Sequence, residues 1–316
     1  MRDAAFTRRR LLLCVLAFCL TTQWLTVAAT SARAADKLVR DHAGEVENDH
    51  PVVQAWLKEL RPATAVTIPW QAGRFSHFKM GSKEERGVRA RSGTLSAELF
   101  RASGEGRAPY VVLLAGCGNT SEGANQLWLK LWARHLQDIG FGVLALDSLK
   151  GRDVHIICGR DSRTWAARRV DDAYSALAWL AARPDVDPRR IFIMGMSNGA
   201  RTALLSIGAT ESWRPRYFAG AVAFYATCDR MPPHRPLAPS LLLMGEKDPV
   251  TKPPSCQNYA AERQTSPFAP DLVFYPEAMH LFDVYPINED YNRPEVTDSR
   301  ARALAFFKSI AGAPKS

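Results

Sequence analysis

Six short apolar runs constrain the fold more than any other feature: "YVVLLAG" (110–116), "FGVLALD" (141–147), "RIFIM" (190–194), "GAVAFYA" (220–226), "SLLLMG" (240–245) and "LVFYP" (272–276). A continuous apolar run of this length suits a strand buried on both faces. Helical periodicity fills the spaces between them. Trp128, Leu131, Trp132, His135, Leu136 and Ile139 recur at helical spacing and stop before Gly140, while Val170, Ala173, Tyr174, Leu177 and Ala181 share one face. "ARTALLSI" (200–207) and "RARALAFFKSIAG" (300–312) read as further helices, and the alternating "TLSAELFRA" (94–102) as a further strand. Strands alternating with helices imply an α/β domain: a mostly parallel sheet covered on both faces.

Residues 1–34 stand apart from this pattern. Arg8, Arg9 and Arg10 precede the apolar "LLLCVLAFCL", and "TSARA" supplies an Ala-x-Ala site with cleavage expected after Ala34. That is the layout of an export signal, and "TRRRLLL" resembles its twin-arginine form, so the expected location is periplasmic or secreted. The apolar run is too short to span a bilayer, and no stable membrane insertion is expected after cleavage. The signal takes five arginines and one aspartate with it and lowers the net charge from +9 to +5. The remaining basic excess is dispersed, without the aromatic-and-basic cluster of a nucleic-acid binder. Four cysteines remain, Cys117, Cys158, Cys228 and Cys256, an even number that favours two disulfides in an exported chain. Their spacing fits no metal site, and no cofactor is expected. Residues 35–90 read as a lead-in, with one helical stretch, "PVVQAWLKEL" (51–60), followed by basic loops; the α/β domain is expected over 91–312.

Within "IMGMSNGART" (193–202), Ser197 lies between Gly195 and Gly199, directly after a strand and before a helix. A nucleophile elbow needs this placement, because its turn is so tight that the flanking residues must be small. Elsewhere the same pattern is an ordinary serine in a Gly-rich connection. A serine hydroxyl needs a base, and His280 in "YPEAMHLFD" follows the last strand, where α/β enzymes place their sites. His42, His50 and His77 precede the sheet, His135 sits on a helix face, and His155 and His234 lie in polar loops. Between Ser197 and His280 the acid candidates are Asp248 in "LLLMGEKDPVT", Glu246 and Asp229; Asp248 is preferred, although Asp-Pro is also a plain turn. The Asn198 backbone N–H would face an oxyanion at the helix start, and a second donor would come from Cys117 or Gly118 in "GCGNT".

These residues resemble the dienelactone hydrolase family of α/β-hydrolases over about residues 90–311, through "RRVDDAYSALAWLAARPDVDPRRIFIMGMSNGA", "LLLMGEKDPVT" and "EAMHLFD". The resemblance implies a sheet of about eight strands and a Ser197, Asp248 and His280 triad. It also implies neighbouring loops at the strand ends, and from those the pairings Cys117–Cys158 and Cys228–Cys256. Two features depart from the enzymes that name the family. They use a cysteine where this chain has Ser197, and they carry a glutamate where this chain reads Ala115, Gly116, Cys117. The expected activity is therefore that of a serine carboxylesterase working through an acyl-enzyme, with a small-molecule ester as substrate. A peptidase, a carbohydrate or polyester esterase, and a non-catalytic binding module are the alternatives. Arg152, Arg160 and Trp165 near the site would favour an acidic or aromatic substrate. Oligomeric state is left open.

Overall fold

The apolar runs pair into a single sheet, as their continuous hydrophobicity requires. The computed structural model describes residues 62–71, 92–118, 120, 123–152, 154–159, 162–208, 217–284 and 293–312. The expected export signal, the 51–60 stretch, most of the lead-in, His42, His50, His77 and Arg160 lie outside the described residues. The strands are β1 (Thr64–Gln71), β2 (Ser92–Phe100), β3 (Ala108–Leu114), β4 (Gly142–Asp147), β5 (Val186–Met196), β6 (Ala221–Phe224), β7 (Ser240–Gly245) and β8 (Asp271–Tyr275). They form an eight-stranded sheet in the order β1-β2-β4-β3-β5-β6-β7-β8. The β1–β2 and β2–β4 pairs are antiparallel, and every pair from β4–β3 to β7–β8 is parallel.

Among the described residues, five α-helices cover the sheet: α1 (Gly123–Asp138), α2 (Ser162–Ala181), α3 (Asn198–Ser206), α4 (Pro253–Ala261) and α5 (Pro294–Ala311). Successive residues of a strand point to opposite faces, so each central strand feeds two cores. Tyr110, Val112 and Leu114 of β3 join Ile191 and Ile193 of β5 and the α2 face of Val170, Ala173, Tyr174 and Leu177. Val111 and Leu113 join Phe192, Met194, Trp128 and Trp132 of α1 and Phe307 of α5 on the other side. A third cluster gathers Cys228, Cys256, Tyr259, Leu242 and Met244 beneath α4.

Two elements differ from the sequence expectation. Residues 64–71, expected as loop within the lead-in, form the edge strand β1, paired with β2 in register Thr64↔Leu99 to Gln71↔Ser92. Val66, Ile68 and Trp70 alternate toward the core, and Pro69 is tolerated because an edge strand leaves one side unpaired. Helix α4 carries no strong apolar stripe. Pro253 and Pro254 open it, and Cys256, Tyr259 and Ala260 are its buried residues.

His135, on α1, packs edge-on against Trp132 with ring centroids 5.7 Å apart. Burial, with Arg300 of α5 and Arg134 nearby, lowers its pKa from 6.5 to about 3. The folded state therefore holds His135 neutral, and the stability this contributes is intact above pH 6.5 and lost as pH falls toward 3. His135→Gln is expected to flatten the acid limb of a stability–pH curve by up to about 1.4 kcal/mol per pH unit over that window, read from urea unfolding at fixed pH.

Candidate active site

Ser197 sits on the turn from β5 into α3 with φ 51° and ψ −114°, a conformation a non-glycine residue holds only when its surroundings impose it. The glycines on either side are the cause. A Cβ on Gly195 would overlap the backbone of Gly199, and one on Gly199 would overlap the Leu114 and Ala115 carbonyls. With both positions bare, α3 starts directly over the ends of β3 and β5. The Ser197 N–H donates to the Phe224 carbonyl (3.0 Å), which ties the turn to the end of β6.

Asp248 and His280 leave the same carboxyl end of the sheet, after β7 and β8. Asp248 Oδ2 meets His280 Nδ1 at 2.8 Å. The remaining capacity of the carboxylate is filled locally. Oδ1 accepts from the N–H groups of Val250 (2.7 Å) and Thr251 (3.1 Å), and Oδ2 accepts from the Thr251 hydroxyl (2.6 Å). Burial opposes its ionisation, but the His280 ring and these donors outweigh it and hold the carboxyl below its ordinary range. An ionised Asp248 keeps the proton on Nδ1 and leaves Nε2 as the basic nitrogen. The Ser197 hydroxyl makes no hydrogen bond with the ring in this structure. The other acid candidates are engaged elsewhere: Asp229 pairs with Arg163 (3.1 Å), and Glu246 is exposed.

Both disulfides form between the expected partners, Cys117–Cys158 and Cys228–Cys256, each with Cα atoms 4.9 Å apart. The first joins the loop after β3 to the loop after β4, where the Ile157 N–H also donates to the Cys117 carbonyl (2.8 Å). Arg152 does not serve as an anion site. It forks onto Asp172 at 3.0 and 2.7 Å and stacks 4.1 Å over Trp70, so its charge is neutralised within the fold. Trp165 lies under the Arg168 guanidinium at 5.1 Å.

Sequence reasoning missed the support behind His280. Tyr225, just after β6, stacks edge-on to the imidazole with centroids 4.8 Å apart. Its hydroxyl donates to Asp283 Oδ1 (2.7 Å), and Oδ2 of the same carboxylate accepts from the indoles of Trp128 (2.9 Å) and Trp132 (3.0 Å). Burial pushes the Asp283 carboxyl up despite these donors. Asp283 follows His280 by three residues, so the hub fixes the loop that carries the imidazole. Asp283→Ala leaves three buried donors unpaired and is expected to cost on the order of 3–5 kcal/mol in urea unfolding. Asp283→Asn keeps an oxygen for the indoles, and the Tyr225 hydroxyl can turn to accept from the amide, so its expected loss is about 1 kcal/mol.

Comparison with known proteins follows the same lines. A comparison with curated proteins returns no match. Among solved structures, esterase 2 of Thermogutta terrifontis phosphoramylated by tabun shares the fold with TM-score 0.56 and 18% identity, over 70% of this chain and 92% of that one. The same esterase phosphorylated by paraoxon aligns with TM-score 0.56 and 18% identity over 70% and 91%, and its propionate-bound form with 0.55 and 18% over 70% and 92%. The family model for dienelactone hydrolases matches residues 126–311, more than half of the sequence. The chain belongs to the dienelactone hydrolase family.

Proposed function

We propose that this protein is an exported serine hydrolase that cleaves carboxylic esters through an acyl-enzyme. The observation that carries this reading is the buried Asp248–His280 hydrogen bond of 2.8 Å, set at the same sheet end as the strained turn bearing Ser197. In this reading His280 Nε2 takes the Ser197 proton as Oγ attacks the ester carbonyl. The tetrahedral oxyanion is met by the N–H groups of Cys117 and Asn198. The alkoxide leaves with the proton from His280, and water repeats the sequence to release the acid and restore Ser197. Asp248 keeps the imidazole in its tautomer and stabilises the imidazolium.

Membership of a hydrolase family supports the reading, as does the fold shared with an esterase seen with propionate and with organophosphorus adducts. Export is supported by the two disulfides, which persist in an oxidising compartment. No helix among the described residues is long and apolar enough to cross a membrane.

Intact-mass analysis of the protein treated with a fluorophosphonate is expected to show one adduct on the wild type and none on Ser197→Ala. In a short-chain ester assay, Asp248→Asn is expected to lower kcat by about 10³–10⁴-fold, because the amide imposes the wrong imidazole tautomer. Equal labelling of wild type and Ser197→Ala, or labelling of neither, overturns the assignment.

A further inference from the structure

Arg169, in α2, is a fully interior cation with only 2% of its surface exposed. Its guanidinium joins two segments far apart in sequence. Nη2 donates to the Ala115 carbonyl (2.9 Å), and Nη1 donates to the Gly116 carbonyl (3.2 Å) and to Oδ1 of Asn198 (2.9 Å). The carbonyls belong to the loop after β3, whereas Asn198 directly follows Ser197. No carboxylate among the described residues forms an ion pair with Arg169. Asp172 and Asp147 balance its charge from further away, and burial lowers its pKa to about 10, so it is charged at neutral pH.

The geometry has a direct consequence for the backbone. In a trans peptide the C=O and N–H of one unit point in opposite directions. Turning the Gly116 carbonyl inward onto Arg169 therefore sends the Cys117 N–H outward. The preceding unit is held at both ends, with the Ala115 carbonyl on Arg169 and the Gly116 N–H on Oδ1 of Asn125 (2.9 Å). The following unit is held by the Ile157 N–H on the Cys117 carbonyl. The Cys117 N–H donates to no described residue. On the other segment, Asn198 accepts from Arg169 and donates through Nδ2 to the Ser162 carbonyl (2.6 Å), which clamps the first turn of α3 against α2. The N–H groups of that first turn have no partner within the helix.

We infer that Arg169 is a positioning residue that aims the Cys117 and Asn198 N–H groups at one point in front of Ser197, acting from behind the site without touching substrate. Its charge also polarises the peptide units it binds, which strengthens the donors they carry. The kinetic consequence rests on the esterase reading; the ordering of the two backbone segments does not.

Three variants test this: Arg169→Gln, Arg169→Lys, and Tyr174→Phe as a control that deletes another buried α2 bond, from the Tyr174 hydroxyl to the Ser206 carbonyl (2.7 Å). Loss of one oxyanion donor costs about 10²–10³ in kcat. Arg169→Gln is accordingly expected to lower kcat on a short-chain ester on the order of 100-fold with KM within about threefold. Arg169→Lys, which keeps the charge but loses the fork, is expected to recover part of that loss. Hydrogen–deuterium exchange is expected to accelerate at 115–118 and 197–199 in both, with Tyr174→Phe leaving kcat and exchange at those segments unchanged. A folded Arg169→Gln with wild-type kcat, or with unchanged exchange at both segments, overturns the inference; if Arg169→Gln does not fold, the same criteria apply to Arg169→Lys. If the wild type turns over no ester and takes no fluorophosphonate, the esterase reading fails, and exchange alone decides whether Arg169 orders the two segments.

Discussion

The packing of backbone directly on backbone at the start of α3 is the constraint on which the rest of the site depends. Helix α3 lies against the ends of β3 and β5 because Gly195 and Gly199 place no Cβ between them. That close approach forces Ser197 to positive φ, at a cost of about 1–3 kcal/mol. Burial of Ala200, Ala203, Leu204 and Leu205 and the bond to the Phe224 carbonyl offset it. Of the four further non-glycine residues with positive φ among the described residues, Arg230 and Lys252 lie in the connections after β6 and β7, and Tyr225 and Leu281 follow β6 and β8 beside His280. Strain is thus concentrated where three parallel strands deliver side chains to one sheet end.

Two buried carboxylates lie close to His280 in sequence or in space, and their environments drive them apart. Asp248 faces an imidazole that can take up a positive charge, together with two backbone N–H groups and a hydroxyl, and is held below its ordinary range. Asp283 faces only neutral donors, a phenol and two indoles, and burial raises it. A group facing a potential cation is suited to stabilising a charge that appears during reaction; a group ringed by neutral donors is suited to holding structure. Tyr225 joins them, donating to Asp283 while its ring packs on His280.

Much of this was legible in the sequence, for reasons that differ by residue. The central strands declared themselves because burial on both faces demands continuous apolar runs. Ser197, Asp248 and His280 stood out as candidates because Gly-x-Ser-x-Gly has a local spacing and the Ser, acid, His order restricts the partners; the structure joins Asp248 to His280 by a hydrogen bond. Edge strand β1 was harder, since its one-sided alternation of Val66, Ile68 and Trp70 is interrupted by Pro69. Arg169 and Asp283 carry no local signal at all. Each looks like an ordinary charged residue, one in a helix and one in a loop, and only the fold brings their partners together, across separations of 53 residues to Gly116 and 155 to Trp128. Arg152 was misread for the same reason: the sequence shows a cation near the site, whereas its bidentate partner Asp172 lies on the next helix.

These long-range contacts also explain how loops hold a geometry that catalysis requires to within fractions of an ångström. Each loop at the carboxyl end of the parallel strands is tied to a second element. Cys117–Cys158 joins the loops after β3 and β4, and Cys228–Cys256 joins the loop after β6 to α4, which follows the Asp248 turn. Asp283 binds the loop after β8 to Tyr225 after β6 and to α1. Arg169 binds the loop after β3 to the turn after β5. The loop after β3 carries both kinds of tie, the disulfide through the Cys117 side chain and the Arg169 fork through the two preceding carbonyls. A disulfide acts largely on the unfolded chain, whereas a forked guanidinium sets the orientation of individual peptide planes. Oxyanion donors need the second kind of restraint, because donors already aimed at the developing charge need no reorganisation during the reaction.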